Sequence, residues 1–159
     1  MFSHIDDNAQ PTMVDVSKKN ATRRTARART IVQLPPEVMH RADPDEIQTV
    51  KGPVFQTAII AGVMAAKKTH HLIPFCHPLG IEKCAITIDL AQNGQATINC
   101  AVTVHHKTGV EMEALTGASV AALTVYDMCK SISHDIVIRD TRLIEKRGGK
   151  SDIDAPGQR

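Results

Sequence analysis

Asp127 and Lys130 stand three positions apart in the segment YDMCK, residues 126–130. If this segment is helical, the spacing places both side chains on one face. An exposed ion pair is the ordinary interpretation, and such a pair adds little to stability. The alternative is a proton-transfer pair, because burial and a neighbouring charge change the pKa of a lysine in opposite directions. The flanking residues 124–129 carry no other charge, which indicates a partly buried pair.

Two more carboxylates, Glu111 and Glu113, stand near the start of the same predicted helix. The helix dipole alone would explain their position. Glu113 and Asp127 are 14 residues apart, so an unbroken helix separates them by about 21 Å. That distance exceeds the size of one small substrate group. If both ends of the helix serve one reaction, a second subunit must supply one of them.

A loop between Pro74 and Pro78 carries Cys76 and His77. The thiol fits a nucleophile and the imidazole fits a phosphate-binding or proton-transfer group. Both residues also fit a plain turn held by the prolines. A metal site is disfavoured because zinc ligands usually occur as two closely spaced pairs. The cysteines and histidines of this span do not follow that pattern; they are His70, His71, Cys76, His77 and Cys84.

Positive charge is concentrated near the N-terminus. Residues 18–29 contain six basic residues and no acidic one, so 13 of the 19 basic residues remain for the rest of the chain, against 17 acidic ones. Such a cluster attracts phosphate groups, although a solvated strand face has the same composition. Lys51 and Gly52 precede a predicted helix, and a helix N-terminus beside a lysine also fits an anion site.

Periodic apolar residues predict the elements that must hold these side chains. Alternation favours an arginine-bearing strand over 23–34 and a hairpin around Asn93-Gly94, and Asn-Gly is a strong hairpin signal. The predicted order β-α-β-β-α-β is typical of an α+β, ferredoxin-like sandwich, in which an antiparallel sheet carries its helices on one face. The remaining predicted elements are a helix from 52 to about 69, a long helix from 110 to about 132, and a strand from about 135 to 144.

The length of 159 residues predicts one domain. Residues 13–150 are expected to form a single catalytic domain, between mobile tails at 1–12 and 151–159. No apolar stretch approaches the ~20 residues of a membrane span. The N-terminus lacks a secretory pattern and the four cysteines show no CxxC spacing, which favours a cytoplasmic protein with reduced thiols.

Six segments, taken in order, resemble the cyclic pyranopterin monophosphate synthase family of molybdenum cofactor biosynthesis. The resemblance spans residues 13–151, and its most specific segments are 107–116 and 126–130. The six segments are MVDVS at 13–17, KG at 51–52 followed by VF at 54–55, LIP at 72–74 with CHPL at 76–79, KTGVEMEALT at 107–116, AALT at 121–124 with YDMCK at 126–130, and GGKS at 148–151.

This resemblance implies a lyase that converts 3',8-cyclo-7,8-dihydro-GTP to cyclic pyranopterin monophosphate and releases pyrophosphate. It also implies a ferredoxin-like subunit in a homohexamer, arranged as a trimer of dimers, with the site at a subunit interface. No cofactor and no metal ligand are expected, and a divalent cation that accompanies the triphosphate is left open. Neither nucleic acid nor a membrane is expected as a partner.

Matching motif positions assign roles to individual residues. The resemblance implies that Asp127 and Lys130 form the catalytic pair and that Lys51 assists them. It implies a set of substrate-binding residues, with Arg24 as a phosphate contact; these are Phe75, Cys76, His77, Glu111, Met112, Glu113, Lys146 and Arg24.

The competing function is that of an RNA-binding module, because ferredoxin-like folds often bind RNA and the arginine strand is basic. Aromatic residues are only 3% of the chain, and the strand after Gly94 has none. The positions on which bases would stack are therefore empty, and the enzyme is favoured.

Overall fold

A computed structural model describes residues 8, 10–43 and 45–154. Most of the two predicted tails lies outside the described residues. The elements, in chain order, are β1 (Thr22–Gln33), α1 (Pro36–Met39), β2 (Ala42–Asp43), β3 (Glu46–Thr49), β4 (Gly52–Pro53), α2 (Val54–Lys67), α3 (Thr69–Leu72), β5 (Lys83–Leu90), β6 (Gln95–His106), α4 (Glu111–Cys129), β7 (Val137–Arg147) and β8 (Ile153–Asp154).

The main sheet has the strand order β5-β6-β1-β7-β8, and all neighbouring strands in it are antiparallel. The hairpin of β5 and β6 turns at Asn93-Gly94, as predicted, and Gly94 has a φ of 80°. The α+β class with a mostly antiparallel sheet is confirmed. The predicted strands and the two long helices are confirmed with shifts of a few residues at their ends.

Helices α2 and α4 pack against each other and cover one face of the main sheet. That face carries Ala26, Ala28 and Val32 of β1, all buried, as the alternation predicts. The helices approach closely at their glycines: a Cβ on Gly62 would lie 2.7 Å from the main-chain oxygen of Gly117. This close packing fixes the position of α4 and therefore of every side chain that α4 carries.

The opposite face of the sheet is polar. Arg27 lies 3.7 Å from Glu145, and Arg29 lies 3.6 Å from Asp140. Asp140 adopts a φ of 56° where the pairing of β1 with β7 changes register. None of the described strands carries an aromatic residue. The predicted arginine face exists, and its arginines pair with carboxylates of β7.

A second, small sheet has the order β2-β3-β4 and lies at the start of α2. The sequence analysis did not predict it. Among the described residues, no helix is both long and apolar enough to cross a membrane.

Candidate active site in two halves

Lys51, Asp127 and Lys130 form one cluster at the C-terminal end of α4. The Nζ of Lys51 lies 3.0 Å from Oδ2 of Asp127, and the Nζ of Lys130 lies 2.7 Å from Oδ1. Lys51 also donates a hydrogen bond of 3.0 Å to the main-chain oxygen of Asp127. The structure therefore brings together the three residues that the resemblance assigns to catalysis. We call them the lysine–aspartate cluster.

The lysine–aspartate cluster is about half exposed in the single chain. The exposed fractions of the side chains are 45% for Lys51, 55% for Asp127 and 46% for Lys130. A hydrogen bond from Lys130, and to a smaller extent one from Lys51, lowers the pKa of Asp127. The bond to Asp127 raises the pKa of Lys130. The prediction of a partly buried pair is wrong for the isolated chain, where the contact between Asp127 and Lys130 is exposed and the two pKa shifts favour the charged form of both groups.

Glu46 anchors the start of α2, close in the chain to Lys51. Its carboxylate accepts hydrogen bonds from the main-chain nitrogens of Phe55 at 2.7 Å and Gln56 at 3.2 Å. The helix needs this carboxylate because its N-cap residue, Pro53, makes no side-chain cap. The N-terminus of α2 is thus already occupied by an anion, and the predicted anion site beside Lys51 is wrong. The lysine turns instead toward Asp127.

A cavity of about 500 Å³ lies at the other end of α4. All eight residues that the resemblance assigns to substrate binding lie on its wall. We call this cavity the cationic pocket. Its full lining is Val14, Val16, Lys19, Arg24, Thr25, Phe75, Cys76, His77, Leu79, Lys107, Thr108, Gly109, Glu111, Met112, Glu113, Lys146, Arg147, Gly149 and Lys150.

Charge in the cationic pocket is unbalanced. Among the described residues, six lysines and arginines line it, against two carboxylates, Glu111 and Glu113. One of these, Glu111, already lies 2.7 Å from the Nζ of Lys146. The Nε of Arg24 is buried without a hydrogen-bond partner. A concave surface with this excess of positive charge attracts a polyanion and concentrates it locally.

Strand pairing explains why Arg24 and Lys146 reach this pocket. Lys146 pairs with Ala26, so both lie on the helix-covered face of the sheet. Arg24 lies two positions before Ala26 on β1 and has the same orientation. The odd-numbered Arg27 and Arg29 have the opposite orientation. One strand thus supplies arginines to both faces, and Arg24 is the arginine of β1 that lines the pocket.

Glu113 is the most perturbed carboxylate of the pocket. It is 4% exposed, in the first turn of α4. Burial, and secondarily the charge of Glu111, raises its pKa to about 7. A carboxyl group with this pKa exchanges its proton near neutral pH, which suits a general acid or base. Burial and the charge of Glu113 also raise the pKa of Cys76, so that thiol remains protonated.

Two basic side chains of the pocket hold the segment at 14–17 over its rim. The Nε2 of His77 lies 2.9 Å from the main-chain oxygen of Val14. Lys107 donates a hydrogen bond of 2.9 Å to the main-chain oxygen of Ser17. Both side chains thus contact backbone oxygens at the rim of the pocket. Phosphate oxygens are acceptors of the same type.

Sequence reasoning missed Lys19, Lys107, Arg147 and Lys150 as pocket residues. The segment at 146–150 reads in the sequence as a basic tail. In the structure it is ordered by Gly148, whose φ is 84° and whose main-chain oxygen accepts a hydrogen bond of 3.0 Å from the hydroxyl of Thr22. The sequence did contain a signal for Lys107, because this residue begins KTGVEMEALT, one of the two segments most specific to the family.

The cationic pocket and the lysine–aspartate cluster do not meet within one chain. Glu113 lies in the first turn of α4 and Asp127 in its last, and the helix between them is unbroken. At 1.5 Å per residue they are about 21 Å apart, as predicted. Among the described residues, no group of three or more Cys, His, Asp or Glu side chains could hold a metal ion.

Comparison with known proteins gives one consistent family. The family model described as "MoaC family" matches residues 13–149. A cyclic pyranopterin monophosphate synthase of Xanthomonas oryzae pv. oryzae is 55% identical, over 97% of this chain and 93% of that protein. A Bacillus pumilus protein of the same name is 50% identical, over 94% of this chain and 93% of that protein. A molybdenum cofactor biosynthesis bifunctional protein of Synechocystis sp. is 55% identical, but this chain spans only 45% of its length.

Proposed function

Since the chain belongs to the MoaC family, we propose that it is a lyase that converts 3',8-cyclo-7,8-dihydro-GTP to cyclic pyranopterin monophosphate and pyrophosphate. This reaction is a step of molybdenum cofactor biosynthesis. The observation that carries the proposal is the cationic pocket, since all eight substrate residues implied by the family motifs lie on the wall of that single cavity.

The substrate carries a triphosphate, which needs several positive groups. Arg24, Lys107 and Lys146 lie among the cations of the pocket, and the lining residues Phe75 and Met112 offer apolar surface to a ring system. Arginine and lysine bind phosphate oxygens by charge-assisted hydrogen bonds. In this proposal the cations hold the triphosphate and stabilise the leaving pyrophosphate, and Lys107 exchanges its backbone contact with Ser17 for a phosphate contact.

The reaction opens and rebuilds a purine-derived ring while an alcohol attacks the α-phosphate. Proton transfers and stabilisation of charge therefore dominate the chemistry. The lysine–aspartate cluster supplies an acid and base pair, with Lys51 fixing the orientation of Asp127. Glu113 supplies a second titrating group, on the wall of the cationic pocket. Because Asp127 contacts two lysines, individual proton transfers are not assigned to one member of the cluster.

One chain offers two incomplete sites, so we propose that the active enzyme is a homohexamer built as a trimer of dimers. In it the lysine–aspartate cluster of one protomer faces the cationic pocket of another. Exposed apolar side chains on the two long helices support an assembly: Ile60 is 61% exposed and Leu123 is 57% exposed. Burial of Lys130 against a partner would desolvate its ammonium group and lower its pKa toward neutrality.

The subunit itself is proposed to have the ferredoxin-like fold. The four long strands follow the spatial order second, third, first, fourth, with antiparallel neighbours and both long helices on one face. This arrangement is expected of a split β-α-β sandwich. We also propose a cytoplasmic location, where nucleotides and reduced thiols occur together, and cell fractionation tests it.

Incubation of the purified chain with 3',8-cyclo-7,8-dihydro-GTP tests the function. We expect stoichiometric pyrophosphate and a cyclic phosphate product, measured by chromatography. No cofactor is assigned, so activity is expected to persist in a chelator; loss in the chelator with recovery on Mg²⁺ would add a cation to the proposal. Folded protein that releases no pyrophosphate would contradict the function, and salt-sensitive retention of RNA would favour the RNA-binding alternative.

A further inference from the structure

Cys84 and Cys100 are in contact across two neighbouring strands. Their sulfur atoms lie 4.0 Å apart, although the residues are 16 positions apart in the chain. In the register of β5 and β6, Cys84 pairs with Val102 and Cys100 pairs with Ile86, so the two cysteines are diagonal neighbours on one face of the sheet. The structure describes all four cysteines, and among them Cys84 and Cys100 are the two whose sulfur atoms are in contact.

The two thiols differ in their surroundings. Cys84 is partly exposed and lies on β5, the edge strand of the main sheet. Cys100 is buried where β6 meets α4, and a Cβ on Gly117 would lie 2.7 Å from its sulfur. A hydrogen bond with Cys100 lowers the pKa of Cys84, and the charge of Lys67 acts in the same direction. The thiolate is the nucleophilic form, so Cys84 is the thiol that an oxidant reaches and that reacts with it first.

We propose that Cys84 and Cys100 form a peroxide-sensitive thiol pair that closes into a disulfide across β5 and β6. The sulfur of Cys84 attacks one oxygen of the peroxide, the O–O bond breaks, and the released hydroxide takes a proton to give water. Cys84 is then a sulfenic acid. The sulfur of Cys100 attacks the sulfur of Cys84, the S–S bond forms, and hydroxide leaves and takes the thiol proton of Cys100 as a second water. Two thiols lose two electrons and the peroxide gains them.

Closure requires a shift of the edge strand, because diagonal neighbours in an antiparallel pair have Cα atoms roughly 7–8 Å apart and a disulfide usually spans less than about 7 Å. A disulfide has an S–S length of about 2 Å, so each sulfur must approach the other by roughly 1 Å. Because β5 is an edge strand with a partner on one side only, it can adjust more freely than β6 or β1. A dithiol reductant reverses the bond by exchange. The pair is therefore a reversible covalent link between the edge strand and the rest of the sheet.

Cys76 provides the natural comparison. It is also partly exposed, but burial and the charge of Glu113 raise its pKa. Its main-chain nitrogen is fixed by a hydrogen bond of 3.1 Å to Ile73, within the proline-bracketed loop. We therefore expect Cys76 to stay reduced under conditions that oxidise the pair.

Digestion with trypsin distinguishes a link between Cys84 and Cys100 from oxidation of Cys76 or Cys129. No lysine or arginine lies between Lys83 and Lys107, so Cys84 and Cys100 fall in one tryptic peptide, residues 84–107. Cys76 and Cys129 fall in two other peptides. The full chain is reduced and then exposed to hydrogen peroxide. It is denatured in the presence of an alkylating reagent, which caps free thiols. The chain is then digested, and the masses of the peptides are measured by mass spectrometry. We expect the 84–107 peptide to lose two hydrogen atoms and take up no alkyl group, while the Cys76 and Cys129 peptides are alkylated in full.

Two further measurements complete the test. Cleavage before Asp89 separates the two cysteines, and we expect the fragments to remain linked until a dithiol is added. Cys84→Ser is expected to leave Cys100 fully alkylated after peroxide, whereas Cys76→Ser is expected to form the link as the parent does. The proposal is overturned if the 84–107 peptide is alkylated twice, if it gains oxygen atoms instead of a link, or if Cys84 links two chains.

Discussion

The Nζ of Lys51 lies 3.0 Å from both the carboxylate and the main-chain oxygen of Asp127, 76 positions further along the chain. This double contact ties the small sheet to the C-terminal end of α4. It also places the lysine on the last turn of the helix, where free carbonyl oxygens favour a cation. Asp127 is thereby held between two lysines, and its orientation is set by groups from two separate parts of the chain.

Lys130→Ala is expected to reduce turnover by about 100-fold or more, because a positioned acid–base group contributes roughly that factor. Lys130 is about half exposed, so its removal is expected to leave the unfolding temperature and the oligomeric state unchanged. Pyrophosphate release and thermal unfolding measure the two effects. Lys83→Ala, at an exposed position on β5, is the matched control. A near-normal rate in Lys130→Ala would show that Asp127 and Lys130 form an ordinary surface ion pair without a role in catalysis.

Glu113 predicts a pH dependence of stability with a defined sign. Its pKa is about 7 in the folded chain against an ordinary value of 4.5, so the folded state binds the proton more tightly than the unfolded state. Its contribution to stability is present below about pH 4.5 and is lost as the pH rises to about 7. The free energy of unfolding should fall by roughly 3 kcal/mol over this range.

Glu113→Gln is expected to remove this dependence, because the amide does not titrate. The difference in unfolding free energy between the variant and the parent should grow in favour of the variant from pH 4.5 to pH 7. Denaturant unfolding at several pH values measures it. Glu82→Gln, at an exposed position, is the control and should follow the parent. Parallel curves for Glu113→Gln and the parent would show that Glu113 does not titrate in this range.

Glu46→Ala tests the carboxylate that caps α2. Three main-chain nitrogens, of Ile47, Phe55 and Gln56, lose their acceptor, and loss of a helix cap costs about 1 kcal/mol. The turn that carries Lys51 is also released, so turnover should fall while Lys51 remains present. Thermal unfolding and pyrophosphate release measure both effects, with Glu82→Ala as control. If stability falls and turnover per folded protein does not, Glu46 does not position Lys51.

The sequence predicted most of the main sheet because its strands have a clear period. Alternation along β1 separates Ala26 and Ala28 from Arg27 and Arg29, and the Asn-Gly turn fixes the hairpin. The small sheet has strands of only two to four residues, too short to show a period. The capping role of Glu46 follows from that sheet, and so it could not be predicted either.

The candidate site was predictable to a similar extent. Family motifs gave eight residues of the pocket wall, and helix length alone separated Glu113 from Asp127. Lys150 and Arg147 were hidden in a segment whose composition resembles a solvated tail. Their place depends on contacts across the chain, such as the bond from Thr22 to Gly148. Exposure of the lysine–aspartate cluster was also not predictable, because uncharged neighbours say nothing about where a helix ends relative to the protein surface.

The shared site predicts complementation between two inactive variants. Lys130→Ala damages the lysine–aspartate cluster, and His77→Ala damages the cationic pocket, at opposite ends of the protomer. If each site combines the cluster of one protomer with the pocket of another, a mixed dimer has one doubly damaged site and one intact site. Random mixing makes half of the dimers mixed, so about a quarter of the parent activity should return.

The experiment mixes the two variants under mild denaturation, lets them reassemble and measures pyrophosphate release against the mixing ratio. Activity should peak at equal amounts and vanish at either extreme. Lys130→Ala mixed with Lys51→Ala is the matched control: both changes lie in the same cluster, so every site remains damaged and no activity should return. No recovery in the first mixture, despite mixed oligomers on native mass spectrometry, would place both halves of the site within one chain. Such an outcome would require α4 to break, since the unbroken helix holds Glu113 and Asp127 about 21 Å apart.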